Sequence, residues 1–274
     1  MASLLAAAGE QCELVLMTTS GDTGGSVGPA GIKGLFVGEI VRALQGGAVD
    51  LAVHSAKDLP SEDPEGVVVA AVPRRASPFD LLVTRNGRLR DGASVGSSSL
   101  RRRGQLLRSR PHLHVVDVRG NVDTRLRRLA EGEVDGLVLA EAGLARLSIR
   151  PDHAERLGEE EMVPAPGQGA LAVQARTDGD ALELARTIDD PASHTAFDGE
   201  RRLVSLLGGG CALPLGAYGN ADEGRLHLRA VVFRPDGSDF LETFATGPGP
   251  EDVARFAADA LFALGADDIL DELR

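Results

Sequence analysis

Leu113-His114-Val115-Val116-Asp117-Val118-Arg119-Gly120-Asn121-Val122-Asp123-Thr124-Arg125-Leu126 passes from a short apolar run, through a glycine, into a helix start. Residues 113–118 read as a strand and 122–129 as a helix, with Asn121 as the N-cap whose side-chain oxygen takes a free backbone N–H. The pattern repeats on both sides: residues 81–83 and 136–139 are apolar runs, and 100–107 has helical character. Strands that alternate with helices predict an α/β fold with a mainly parallel sheet covered on both faces. Such sheets bind ligands at the carboxyl ends of their strands, where the polar motifs of this chain fall.

Upstream, Glu13-Leu14-Val15-Leu16-Met17 predicts a first strand, followed by a glycine-rich loop from Gly21 to Gly34. Leu35, Ile40, Val41 and Leu44 then recur at helical spacing before Gly46-Gly47 closes the helix. Residues 49–53 and 67–72 are further strands, and Pro73 with Ser77-Pro78 marks a crossing into a second unit. Pro164-Ala165-Pro166-Gly167-Gln168-Gly169 reads as a hinge, and residues 170–174 as a strand returning to the first unit. Two lobes joined by crossing segments can close on a ligand. The last third changes character. Leu226, Leu228, Ala230 and Val232 alternate with more polar positions, as in a half-buried antiparallel strand, and Val253, Phe256, Ala257, Ala260, Leu261 and Leu264 form one helical stripe. The expected organisation is lobe 1 from 1–73 with 170–187, lobe 2 and hinge from 74–169, and an α+β domain from 190–274.

A chain of 274 residues is long enough for two or three such units with real cores. Its two cysteines, Cys12 and Cys211, are far apart and form neither a disulfide framework nor a metal spacing, which suits a reducing cytosol. The short apolar start lacks the basic flank of a secretory signal and reads as the end of a helix, and no apolar run is long enough to span a membrane. A net charge of −12 opposes broad nucleic-acid binding. Yet residues 101–128 hold nine arginines and two acids, Asp117 and Asp123. Arginine's planar fork suits carboxylates and phosphates, so the segment points to recognition of an anion.

Four motifs carry chemistry. His54-Ser55-Ala56-Lys57-Asp58-Leu59-Pro60 sets Ser55, Lys57 and Asp58 at a strand's mouth, where a carboxylate beside an ammonium can stay ionised, stabilise a developing cation or exchange a proton. Gly96-Ser97-Ser98-Ser99-Leu100-Arg101-Arg102 joins hydroxyls and two arginines to a helix start, an arrangement that attracts anions or simply caps a helix. Arg119-Gly120-Asn121-Val122-Asp123-Thr124-Arg125 repeats it, so two helix starts would face one cleft. Leu207-Gly208-Gly209-Gly210-Cys211-Ala212-Leu213-Pro214 clears side chains from around a thiol, which reads as a presented sulfur or as a flexible turn. His112 with His114 has a spacing a metal can use, without a third ligand nearby in sequence, and no metal is expected. His54, Asp58 and Cys211 also leave open a thiol-hydrolase constellation that their spacing does not test.

These motifs, in this order and with Pro166-Gly167-Gln168-Gly169, resemble those of the hydroxymethylbilane synthase family, also called porphobilinogen deaminase, from about Leu14 to the end of the chain. The resemblance implies two lobes like a periplasmic binding protein and a third domain. It further implies a dipyrromethane cofactor joined to Cys211 by a thioether. Asp58 would be the catalytic carboxylate, facing pyrrole nitrogens while ammonia leaves porphobilinogen and the azafulvene cation is attacked by the chain's terminal ring. Four such condensations give a linear tetrapyrrole whose acetate and propionate groups make it a polyanion. Arg101, Arg102, Arg119, Arg125 and Arg146 match the family's carboxylate-binding positions, Ser55, Lys57, Ser97 and Ser99 match neighbouring contacts, and Lys33 with Phe36 matches a mobile substrate loop. Charge-assisted bonds of this kind replace the water that clustered carboxylates lose. A monomer in the cytoplasm, with porphobilinogen as its partner and neither nucleic acid nor membrane, is the family expectation.

The resembled family opens with a strand and helix bearing Thr-Arg-x-Ser, and this chain begins after them, so the expected first lobe lacks one strand and two ligand contacts. An upstream start codon is favoured over a shortened paralogue, because every other site motif is intact. The rival reading is a two-lobed anion-binding homologue in which the arginines hold a ligand and no cofactor forms.

Overall fold

The computed structural model describes residues 1–17, 31–209 and 213–272, with the side chains of 31–36 left aside. Lobe 1 begins with helices α1 (Ala2–Ala7) and α2 (Gly31–Gln45), then strand β1 (Leu51–Ser55), a 3-10 turn over Ala56–Asp58, and strand β2 (Val67–Ala71). Lobe 2 holds β3 (Asp80–Thr84), β4 (Ser94–Gly96), α3 (Leu100–Ser109), β5 (His114–Val116), α4 (Val122–Glu131), β6 (Gly136–Ala140), α5 (Glu141–Arg146) and β7 (Ala154–Leu157). The chain then returns through β8 (Leu171–Arg176) and α6 (Asp180–Arg186). The C-terminal α+β domain comprises α7 (Pro191–Leu206), β9 (Leu215–Asp222), β10 (Arg225–Phe233), β11 (Phe240–Gly247), α8 (Pro250–Ala263) and α9 (Ala266–Asp271).

In the second lobe the sheet order is β5-β4-β6-β3-β7. β4 pairs in parallel with β5 and β6, whereas β3 pairs antiparallel with both β6 and β7. Only β3, the strand that enters from the crossing, runs against the other strands of this sheet. Lobe 1 follows the same rule, since β8 returns from the second lobe and lies antiparallel between β1 and β2. The expected α/β architecture is therefore present, with reversed strands where the chain crosses. The C-terminal sheet is an antiparallel meander, β11-β10-β9, against which α7 and α8 pack.

Each sheet buries its own apolar faces. Val37, Val41 and Leu44 of α2 join Ala52, Ala56, Leu59 and Ala172 in one cluster, which seats the helix on β1 and on the turn that follows it. Leu44 is fully buried, and a leucine removed from water in this way contributes about 1.5–3 kcal/mol. Val95, Leu106, Val115 and Val138 perform the same task in lobe 2, and Leu203, Leu228, Val232 and Leu261 in the C-terminal domain.

Three local expectations change. The run Glu13–Met17 forms no strand, and Leu14 and Leu16 stand 76% and 93% exposed. An apolar run becomes a strand only when a neighbour takes its N–H and C=O groups, and none does so among the described residues. The glycine-rich loop ends earlier than expected, because α2 starts at Gly31 and so includes Lys33 and Phe36 in its backbone. Packing of Val37, Val41 and Leu44 outweighs the weak helix propensity of Gly31 and Gly34. Finally, the edge strand β7 carries only four residues, Ala154-Glu155-Arg156-Leu157, three of them exposed, and its sequence offers no apolar alternation to find it by.

Candidate functional site between the lobes

β1 alternates buried Ala52 and His54 with more exposed neighbours, so its end delivers Ser55 to the sheet's rim. The 3-10 turn that follows presents Lys57 and Asp58 before Leu59 turns back into the core. Ser55 and Lys57 line one cleft with Ala140, Ala142, Gly143 and Arg146 from the other lobe and with residues of the crossing loop, Gly167, Gly169 and Ala170. Both lobes and the hinge thus contribute to a single concavity. Gly167 is required there: its φ is +71°, and a Cβ would come within 2.8 Å of the Ala56 carbonyl carbon and the Lys57 nitrogen. Burial lowers the pKa of Arg146, whose guanidinium donates to the Gly169 carbonyl at 2.8 Å.

Behind Asp58, His54 is buried. Desolvation holds its pKa below the ordinary histidine value although Asp58 and Gln174 act in the opposite direction, which keeps the ring neutral at physiological pH.

The two helix starts of lobe 2 form as expected. Ser99 caps α3 by accepting from the Arg102 amide, and Asn121 caps α4 by accepting from Thr124 at 2.9 Å. Ser97 is buried just beyond β4, and its Oγ accepts from the Ser99 amide at 3.3 Å. Ser98 Oγ donates to the Val118 carbonyl at 2.7 Å, tying the first helix start to the strand before the second.

The arginines divide into two kinds. Arg101 and Arg102 are buried and converge on Asp80 at the start of β3, at 2.6 and 2.7 Å. Arg101 also donates to the Val163 carbonyl at 2.7 Å, while its buried Nε has no hydrogen-bond partner among the described residues. Arg125 is close enough to Arg102 for like-charge repulsion to add to burial in lowering its pKa. Arg119 remains exposed and pairs with Asp117 at 3.0 Å. Lys33 and Phe36 lie in the first turns of α2, and Cys211 lies outside the described residues.

Asp80 is a residue that sequence reasoning missed. It is fully buried, and Gln168 of the hinge is a third residue donating to it, at 3.0 Å. Burial alone would raise its pKa, but the two guanidiniums more than reverse this and hold it well below the usual carboxylate range. One carboxylate against two cations leaves this buried cluster with net positive charge. A depressed folded-state pKa adds stability that is complete above the unfolded value of about 3.9 and drains away as the pH falls through the folded value. Denaturant midpoints of the wild type should therefore fall more steeply below about pH 4 than those of Asp80→Asn. Parallel pH profiles for the two would show that Asp80 is not ionised in the fold.

The hinge is held by a second buried carboxylate. Glu200 of α7 accepts from Arg75 at 2.6 Å, from the Gly167 amide at 2.6 Å and from the Gly219 amide at 2.6 Å. Arg75 in turn donates to the Gln168 carbonyl at 2.8 Å, so the two crossing segments and the C-terminal domain meet on one ion pair. Neither Arg75 nor Glu200 belongs to a motif that periodicity or spacing marks, and only the folded hinge reveals them.

The structure thus brings the hydroxyl of Ser55 and the ammonium of Lys57 opposite Arg146 in one cleft between two α/β lobes, with Asp58 next to Lys57 in the same turn. The chain matches two family descriptions, "Porphobilinogen deaminase, dipyromethane cofactor binding domain" over residues 1–183 and "Porphobilinogen deaminase, C-terminal domain" over residues 195–263. It is 43% identical over 249 residues to the porphobilinogen deaminase of Brevibacillus brevis, covering 89% of this chain and 81% of that one. It is 47% identical over 251 residues to that of Desulforudis audaxviator, with the same coverage. Among solved structures, an ancestral cationic amino acid solute binding protein is similar at 16% identity and a TM-score of 0.40, over 68% of this chain and 74% of that one. The chain belongs to the porphobilinogen deaminase family.

Proposed function

We propose that this protein is a hydroxymethylbilane synthase, a transferase that condenses four porphobilinogen molecules stepwise into a linear tetrapyrrole with release of ammonia. The observation that carries the reading is the single cleft in which Ser55 and Lys57 of one lobe face Arg146 of the other across the Gly167–Gly169 hinge. The donor set fits a dipyrromethane bearing carboxylates: it is cationic and hydroxylic, and Arg101 keeps a buried Nε without a partner beside it. When bound through a thioether to Cys211, that group supplies the nucleophilic pyrrole end on which the product is built.

The chain's own residues bind, orient and compensate charge. Asp58 would be the carboxylate beside the bound pyrroles, with the sign to stabilise developing positive charge and the basicity to accept or return a proton. Lys57, Arg119, Arg125 and Arg146 take acetate and propionate groups through charge-assisted bonds, and Ser55, Ser97 and Ser99 complete their hydrogen bonding. Arg101 and Arg102, fixed on Asp80, contribute positive charge to the site. Lys33 and Phe36 serve as the substrate-loop residues. The domain limits are 1–73 with 170–187, 74–169 and 190–274, and the protein works as a monomer in the cytoplasm. No helix among the described residues is long and apolar enough to cross a membrane.

Intact-protein mass spectrometry on the chain expressed where porphobilinogen is made tests the reading. A mass excess equal to dipyrromethane, lost in Cys211→Ser, is expected. An unmodified mass in the wild type would favour the non-catalytic anion-binding reading.

A further inference from the structure

Behind the Lys57–Asp58 turn a second constellation lies outside the residues already assigned to the site. Asp63 accepts two parallel hydrogen bonds from Arg201 of α7, at 2.9 and 3.0 Å. Arg201 Nε donates to the Pro60 carbonyl at 2.9 Å, so three of its donors are committed to the segment that leaves the catalytic turn. Asp63 also accepts from the Val69 amide at 3.3 Å and from Gln174 of β8 at 3.0 Å. Gln174 pairs with Ala52 two residues before His54, so Asp63 is bound to the strand pair that leads into the Ala56–Asp58 turn. Both side chains are largely withdrawn from water, at 13% and 22% exposure, where salt screens poorly.

Arg201 belongs to the helix that leads to the glycine loop. After α7 ends at Leu206, the chain runs through Gly208 and Gly209, and a Cβ on Gly209 would lie 3.3 Å from Ser61 Oγ. The loop approaching Cys211 therefore passes against the same segment, 60–63, that Arg201 grips. An arginine bound in bidentate fashion fixes direction as well as distance, unlike a point charge.

We propose that the Asp63–Arg201 pair is a positioning element that sets the reach from the anchoring residue Cys211 to the carboxylate Asp58. The inference rests on the function proposed above. A covalently anchored chain that grows at its far end must bring each new terminus to one carboxylate, so the anchor's placement relative to Asp58 is a catalytic coordinate. Misplacement by about 1 Å costs on the order of 100-fold in rate. Asp63 and Arg201 touch neither substrate nor cofactor in this scheme. They act through the segment 60–63 on one side and through α7 with Gly208 and Gly209 on the other.

The test uses the full chain with Asp63→Asn, Arg201→Gln and the conservative Arg201→Lys. Three measurements are made: intact mass before substrate, thermal midpoint, and the mass distribution of covalent intermediates after limiting porphobilinogen. Cofactor mass should persist in all three variants. KM should stay within about twofold while kcat falls roughly tenfold or more in Asp63→Asn and Arg201→Gln, in keeping with a sub-ångström displacement. Intermediates should accumulate at a ring number that the wild type passes through, and Arg201→Lys should shift this distribution part of the way back. A purely structural role would lower the thermal midpoint and the yield without changing the distribution per folded molecule. Variants with cofactor and a wild-type distribution and kcat would overturn the inference alone. A wild type without added mass would overturn the underlying function, and the inference with it.

Discussion

Glu200→Ala is expected to cost roughly 3–5 kcal/mol of folding free energy, because removing one member of a buried ion pair leaves the other charge uncompensated. The Glu200 side chain has no exposed surface, and Arg75 beside it is only 10% exposed. The alanine also strips the amides of Gly167 and Gly219 of their acceptor, and a buried unsatisfied N–H adds about 1–3 kcal/mol. At about 2–4 °C per kcal/mol for domains of 150–250 residues, the thermal midpoint should fall by several degrees at least. Glu200→Gln keeps the shape but loses the charge and turns an N–H₂ toward one of the three donors, so it should also destabilise. Scanning calorimetry of both variants checks this. A Glu200→Ala midpoint equal to the wild type would mean that the hinge does not depend on the pair. The effect should reach the site as well, because Gly167 rests against the backbone of Ala56 and Lys57 with no room to shift inward.

Asp58→Asn is expected to lower kcat by about 10²–10⁴ while leaving the dipyrromethane in place, since general acid–base groups contribute on that scale. The substitution is nearly isosteric, so the 3-10 turn over Ala56–Asp58 and the packing of Leu59 should survive it. An amide retains a dipole but loses both the charge that offsets a cationic nitrogen and the basic oxygen that accepts a proton. Steady-state rates with intact mass on the same sample check the prediction together: the mass excess should remain while turnover disappears. Turnover at the wild-type rate would remove Asp58 from the chemistry and direct attention to the other groups at the same strand end.

The local sequence by itself determined the alternation of strands and helices, the helix starts at Ser99 and Asn121, and the placing of Ser55, Lys57 and Asp58 at a strand mouth. These depend on periodicity, capping chemistry and turn residues that act over a few positions. The order of the motifs was likewise enough to indicate the family. Only the tertiary structure decided that Arg101 and Arg102 turn inward to a shared Asp80, for nothing near Ser77-Pro78-Phe79-Asp80 signals a buried carboxylate 21 and 22 residues from its partners in sequence. It also decided that Glu13–Met17 stays outside the described sheet despite strand-like composition, because a ladder needs a partner. Glu200 and Arg201 show the distinction most directly. They are adjacent in the chain, yet one reaches the hinge and the other reaches Asp63, since neighbours on a helix point about 100° apart and contact whatever the fold brings to each side.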